Sequence, residues 1–207
     1  ERTAAETGDS RVVDGDTHLE ARVGVGDAHA ARVVQVQGEV HVGVLVAHGA
    51  DDVLIIFGDT PLLTPDLLGR LLAARRTDSN PAAVIVGFTP SDPAAYGRLI
   101  VAAGGTLRKI VEFKNANAEE RAVRLCNAGL MAIDGARLPG LLEKLNTDNP
   151  QGEYLLTDIV EHANAHGWTC RVVEADPVEV MGINNRAELA VAEVAMQQRL
   201  RERALLA

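Results

Sequence analysis

No lysine precedes Lys109 in this chain of 207 residues, and Lys and Arg together number 20 against 29 Asp and Glu. At a net charge of -9 there is no basic stripe to displace the counterions of a phosphate backbone, which excludes nucleic acid as a partner. An acidic protein can still bind a nucleotide where a metal ion and a few placed cations offset the local charge. Cysteine is almost missing: Cys126 and Cys170 stand far apart with no CxxC, so a disulfide framework is excluded and reduced core thiols are expected. No apolar run reaches membrane-span length, and the first residues lack the basic-then-apolar order of a signal peptide, so a soluble, cytoplasmic chain without a membrane partner is expected. There is no repeat of fixed period. With 47% hydrophobic and 24% charged residues the composition is ordinary for a globular chain, and 22.0 kDa fits one domain or one domain with an appended helix.

Residues 1 to about 50 form a compositional unit of their own. They contain no Lys, Pro, Ile, Asn or aromatic residue and are crowded with Val, Gly, Asp and His. Val34-x-Val36 and Val40-x-Val42-x-Val44-x-Val46 alternate about Gln37-Gly38, the pattern of a hairpin. Residues 1–30 show no consistent period and are expected to be poorly ordered. His18, His29, His41 and His48 fit no standard metal-ligand spacing.

From Asp51 onward the pattern is regular. Val53-Leu54-Ile55-Ile56-Phe57 reads as a strand buried on both faces of a parallel sheet, ending at Gly58-Asp59-Thr60-Pro61. Thr64-Pro65-Asp66 opens a helix with a hydroxyl cap, a first-turn proline and an acid, and Leu67, Leu68, Leu71 and Leu72 form its apolar stripe. Ala83 to Phe88 is a second buried strand. Residues 96–101 and 107–112 read as an antiparallel excursion about Gly104-Gly105. A strand over 124–133 precedes a helix from Asp134, with Leu138, Leu141, Leu142 and Leu145 on one side. Another helix starts near Thr157-Asp158 and runs toward Gly167. Short strands are expected over 168–173 and 178–181, and a final helix after Asn184-Asn185. Alternating strands and helices imply a Rossmann-like, three-layer α/β/α domain with a mainly parallel sheet and an antiparallel insertion, whose ligands lie beyond the carboxyl ends of the strands.

Several residues at those strand ends can carry chemistry. Asp59 follows the most buried strand on a turn stiffened by proline, a place from which a carboxylate holds a divalent cation against phosphates or forms a local turn with Thr60. Gly97 either lets a ligand lie against the backbone or permits a turn. Glu112, two residues before Lys114, can bind sugar hydroxyls or form an exposed ion pair. The amide of Asn127 offers both a donor and an acceptor. Thr157 and Asp158 read as helix caps rather than catalysts, as does Asn185. The amide oxygen of Asn184 can complete a magnesium shell begun by one carboxylate.

These segments occur in a particular order: Gly58-Asp59-Thr60-Pro61-Leu62-Leu63, Tyr96-Gly97-Arg98, Ile110-Val111-Glu112-x-Lys114, Asn127-Ala128-Gly129-Leu130-Met131, Asn149-x-Gln151-Gly152-Glu153-Tyr154-Leu155-Leu156-Thr157-Asp158 and Gly182-Ile183-Asn184-Asn185-Arg186. In that order and spacing they resemble the uridylyltransferase half of the bacterial bifunctional N-acetylglucosamine-1-phosphate uridylyltransferase/glucosamine-1-phosphate acetyltransferase family, over roughly residues 51–203. The resemblance implies transfer of a uridylyl group from UTP to N-acetylglucosamine 1-phosphate, with another sugar-1-phosphate nucleotidyltransferase, or an inactive truncated domain that retains only sugar-binding residues, as the alternatives. It implies Asp59 and Asn184 as catalytic magnesium ligands, and Phe57, Gly58 and Asp59 along the nucleotide. Gly97, Glu112, Asn127 and Asn184 would contact the sugar. The implied cofactor is Mg2+, and the implied partners are UTP and the sugar phosphate.

The departures are equally specific. The family opens with a glycine-rich loop and nearby basic residues that wrap the triphosphate. Here Gly24-Val25-Gly26-Asp27 places an acid where phosphate should lie and follows no apolar strand, and the uracil-reading segment expected shortly before Asp59 is not recognisable. The domain division expected is therefore an atypical segment over 1–50, a nucleotidyltransferase domain over 51–184 without its loop, and a helical arm over 185–207. The composition break before Asp51 reads as a misread frame joined to the rest, against the alternative of a divergent N-terminus. No hexapeptide repeats follow the arm, so neither acetyl transfer nor the trimer that the repeats support is expected of this chain. Asn127-Ala128 replaces the usual Asn-Thr, and Asn115 stands where the family often has Asp.

Overall fold

The computed structural model describes residues 21–25, 29–36, 42–47 and 52–206, the first three groups as backbone strands and the last with its side chains. The strands are β1 (Ala21–Val25), β2 (His29–Val36), β3 (Val42–Ala47), β4 (Asp52–Phe57), β5 (Ala83–Phe88), β6 (Arg98–Val101), β7 (Leu107–Val111), β8 (Cys126–Asp134) and β9 (Cys170–Glu174). The helices are α1 (Pro65–Arg75), α2 (Ala118–Ala122), α3 (Leu138–Leu142), α4 (Ile159–Ala165) and α5 (Arg186–Leu206), with a 3-10 turn over Leu156–Asp158 before α4.

The strands join in the order β1-β2-β3-β4-β8-β5-β9, and the β6–β7 hairpin branches from β8. β5 and β9 pair in parallel, and β8 lies antiparallel between β4 and β5, so β4, β5 and β9 all run the same way. The sheet is thus mixed, with its parallel members β4, β5 and β9 separated once by β8. The expected hairpin near Gln37-Gly38 forms between β2 and β3. β1 pairs with β2, so residues 21–25 are a strand within the stretch expected to be poorly ordered. Residues 1–20, Gly26-Asp27, and the side chains of His18, His29, His41 and His48 lie outside the described residues.

Why the central runs are continuously apolar follows from alternation. Successive side chains of a strand face opposite ways. Val53 and Ile55 of β4, Ala83 and Ile85 of β5, and Met131 and Ile133 of β8 share one core with Leu138 and Leu141 of α3 and Ile159, Val160 and Ala163 of α4. Val84, Val86, Phe88, Leu130 and Ala132 point into a second core with Leu67 and Leu71 of α1, against which Leu54 and Ile56 also pack. Both faces are covered, so no polar residue is tolerated at alternate positions. This is the three-layer arrangement expected. Cys126 and Cys170 are free and buried in these cores, and burial pushes the Cys170 thiol up to about 11.

The end of α1 carries a cluster that the sequence pattern does not announce. Asp52 and Asp134 are cross-strand partners on β4 and β8, two like charges side by side. The buried guanidinium of Arg75 closes on both. Its Nη2 lies 2.6 Å from Asp134 Oδ2, and its Nε lies 3.1 Å from Asp52 Oδ1 as an ion pair without hydrogen-bond alignment. Arg76 adds a 2.6 Å bond to Asp52, and Arg75 Nη1 donates to Asn80.

Two expectations are corrected here. Residues 178–181 form no strand: Pro177 removes a ladder donor, and Asp176 accepts from the Val178 and Glu179 N–H groups, which closes a turn instead. α3 is only five residues long, with Gly140 inside it, and Leu142 is exposed while Leu138 and Leu141 are buried.

Candidate active site

Residues 57–59, 97, 112, 127 and 182–184 reach one edge of the sheet. β4 and β5 end there, and β8, running the other way, begins there, since Phe88 is the register partner of Cys126. β7 delivers Glu112 one residue past its last position, Val111. Gly182 to Asn184 arrive between β9 and α5.

The first cluster forms around Asp59. Thr60 donates its hydroxyl to the Phe57 carbonyl, tightening the turn that carries the acid. The backbone N–H of Ile183 donates to the Asp59 carbonyl at 2.9 Å and ties the two loops together. A methyl group placed on Gly182 would stand 3.4 Å from Asp59 Oδ2 and 4.0 Å from Asn184 Nδ2, so acid and amide flank the same glycine. Asp59 Oδ1 is buried without a hydrogen-bond partner. A buried carboxylate oxygen left unpaired carries a desolvation penalty that a cation would remove. Among the described residues no three His, Cys, Asp or Glu side chains gather as a metal cage. One carboxylate, with a side-chain amide whose oxygen is free of hydrogen bonds among the described residues, suits a hard cation that keeps waters or substrate oxygens in its remaining positions, as Mg2+ does.

Phe57 is seated by a backbone constraint. Gly129 has φ of 80°, and a Cβ there would lie 1.9 Å from Phe57 Cε2, so only glycine fits in either respect. The Asn127 side chain accepts from the Gly129 N–H at 3.0 Å and shapes this turn in β8.

The second cluster holds Gly97, Glu112 and Asn127. The position of a Gly97 Cβ is 3.5 Å from Glu112 Oε2 and 3.6 Å from Asn127 Cβ, and the Asn127 N–H donates to the Gly97 carbonyl at 2.9 Å. Burial raises the Glu112 carboxyl above its ordinary value, a Thr157 hydroxyl bond partly opposes this, and the Asp158 charge adds to it. Glu112 makes no pair with Lys114, which is exposed beside an open depression of about 630 Å³ together with Asn115, Asp148 and Gln151. Asn115 and Gln151 exchange amide hydrogen bonds at 3.1 and 3.3 Å, which fastens the 148–153 loop to the end of β7.

Other residues at this edge have roles the sequence did not suggest. Thr157, expected to cap a helix, instead reaches Glu112 Oε1 at 3.5 Å, and Asp158 makes no side-chain cap. Asn185 does cap α5, accepting from the Ala187 and Glu188 N–H groups at 3.0 Å each. Arg98, only 2% exposed, donates to the carbonyls of Pro93, Ala94 and Tyr96 and lies 5.4 Å over the Phe113 ring, locking the loop that presents Gly97. Tyr96 meets Phe88 edge-on at 4.9 Å. Its phenol is held above its ordinary value by desolvation first and then by the charges of Glu188, Cys126 and Asp59. The signal available for Arg98 was its position directly after Gly97; a long-range partner such as Glu112 for Thr157 leaves no local signature.

No protein-family model matches the chain. Among curated proteins, it is 53% identical over 154 residues to the bifunctional protein GlmU of Paramagnetospirillum magneticum, covering 74% of this chain and 34% of that protein. The bifunctional GlmU of Rhodospirillum rubrum is 52% identical over 153 residues, again 74% of this chain and 34% of the relative. That of Xanthobacter autotrophicus is 44% identical over 205 residues, 97% of this chain and 44% of the relative. The chain thus spans between a third and a half of the length of these relatives. Among solved structures, CMP:2-keto-3-deoxy-manno-octonic acid synthetase complexed with CTP superposes with a TM-score of 0.50 at 18% identity, covering 72% of this chain and 63% of that one. A candidate glucose-1-phosphate thymidylyltransferase from Bacillus anthracis superposes with a TM-score of 0.51 at 18% identity, covering 71% and 55%. The chain is therefore homologous to part of the bifunctional GlmU proteins and shares the fold of the sugar nucleotidyltransferases.

Proposed function

We propose that this chain carries a sugar-1-phosphate nucleotidyltransferase site, for transfer of a uridylyl group from UTP to N-acetylglucosamine 1-phosphate. The observation that carries the reading is the meeting, at one sheet edge, of an acid–amide pair about Gly182 with the Gly97–Glu112–Asn127 cluster. The homology to GlmU supports the choice of substrates.

In this reading Asp59 and Asn184 hold Mg2+, which when bound supplies positive charge to the phosphate oxygens. Phe57, held over Gly129, and Gly58 line the nucleotide. Glu112, Asn127 and Asn184 orient the N-acetylglucosamine moiety, with Thr157 fixing the Glu112 carboxylate and Gly97 leaving room for the sugar. The phosphate oxygen of the sugar phosphate attacks the α-phosphorus of UTP in line. A new P–O bond forms, the bond from the α-phosphorus to the bridging oxygen breaks, and pyrophosphate departs with the electron pair. The attacking phosphate is already ionised at neutral pH, so the site has no need of a general base, and its residues act through position and charge.

A second reading rests on one observation: no lysine and no glycine-loop motif precedes Asp59. In that case residues 1–50 do not complete the triphosphate site, and the chain retains sugar contacts without turnover. Pyrophosphate release from UTP, Mg2+ and N-acetylglucosamine 1-phosphate, measured beside direct binding of UDP-N-acetylglucosamine, separates the two. Release dependent on all three components supports transfer; binding without release supports the second reading; neither release nor binding contradicts both.

A further inference from the structure

Glu188 stands in the first turn of α5, and its carboxylate also reaches beyond that helix. Asn185 already caps α5 through its own side chain. Glu188 reaches back to the residue before the cap, where Oε2 accepts the Asn184 backbone N–H at 2.6 Å and the Asn184 side-chain N–H at 3.2 Å. An ionised carboxylate only accepts hydrogen bonds, so it selects the nitrogen end of the Asn184 amide and leaves the oxygen end for another partner. Among the described residues nothing donates to that oxygen. An amide without such a neighbour can turn through half a rotation and present its N–H groups, which repel a cation.

We propose that Glu188 is a positioning residue: by accepting the Asn184 side-chain N–H it holds the nitrogen end of the amide and leaves the oxygen end for a divalent cation shared with Asp59. This rests on the cation site proposed above. Groups one step removed from a metal commonly change affinity by about ten- to a hundredfold when lost.

The test is titration of the whole chain with Mn2+ alone, followed by the electron paramagnetic resonance signal of the free ion, with far-ultraviolet circular dichroism and thermal unfolding as controls on α5. Glu188→Ala is expected to weaken Mn2+ binding about tenfold. Glu188→Gln, whose oxygen can accept the same two N–H groups, is expected to bind within about threefold of the parent, because the acceptor rather than the charge does the positioning. Both variants should keep the parent helix content, which a merely structural contribution to α5 would not allow. Unchanged binding in Glu188→Ala overturns the proposal. Equal losses in Glu188→Ala and Glu188→Gln also overturn it, since the charge itself would then hold the ion. If Asp59→Ala and Asn184→Ala bind Mn2+ as the parent does, or if the parent binds none, the cation site itself fails, and this inference with it.

Discussion

At the scale of single residues, the proposed site depends on Glu112 being ionised where burial resists it. Its folded-state carboxyl titrates above the ordinary 4.5, chiefly through desolvation. Protonated Glu112 is therefore favoured by the folded chain, and its contribution to stability is full below about pH 4.5 and lost as the pH rises through the folded value. Glu112→Gln should raise the thermal unfolding midpoint relative to the parent at pH 8 and leave it unchanged at pH 4. It should also weaken N-acetylglucosamine 1-phosphate binding at least about tenfold, the scale of one hydrogen bond to a charged acceptor. Calorimetry of unfolding and of binding checks both halves. A midpoint that falls at pH 8 would show that Glu112 is held ionised for stability rather than for a ligand. The identity of Glu112, Gly97 and Asn127 as a group could be read from motif order, yet the Thr157 bond could not. A threonine ahead of a helix looks like a cap in any sequence, and only the approach of β7 turns its hydroxyl elsewhere.

At the scale of elements, the parts most legible in the sequence are those where local chemistry and tertiary packing agree. Thr64 caps α1 as expected, accepting from the Leu67 N–H at 3.1 Å, because hydroxyl, proline and acid all favour a helix start at that point. β4 and β5 were legible because two covered faces impose an unbroken apolar run. β1 and the turn over 177–180 were missed because neither is fixed by local pattern: the first pairs only through its neighbour β2, and the second depends on the Asp176 side chain. The same limit hid the α1–β4–β8 clamp, since charge partners distant in sequence carry no periodicity. Arg75→Met would leave the buried Asp52 and Asp134 facing each other, and removing one partner of a buried ion pair typically costs about 3–5 kcal/mol. Urea unfolding should show that loss. UDP-N-acetylglucosamine binding in native buffer should be unaffected, because the clamp lies where β4 begins and the site lies where it ends. Unchanged urea stability would mean that the clamp is held by Arg76 and Arg137 alone.

At the scale of the whole molecule, the mixed sheet brings residues from both ends of the described chain to one edge, so that Asp59 and Asn184, 125 positions apart in sequence, flank one glycine. No helix among the described residues is long and apolar enough to cross a membrane. β1 to β3 extend the sheet beyond β4, and residues 1–50 carry neither a lysine nor a recognisable phosphate loop. The decisive question is whether acid and amide share an ion. Crystals soaked with Mn2+ and UDP-N-acetylglucosamine, measured at the manganese absorption edge, answer it directly. The account predicts one anomalous peak at coordination distance, about 2.2 Å, from both an Asp59 carboxylate oxygen and the Asn184 amide oxygen. A bound nucleotide sugar with no such peak, or with a peak touching neither residue, would contradict it.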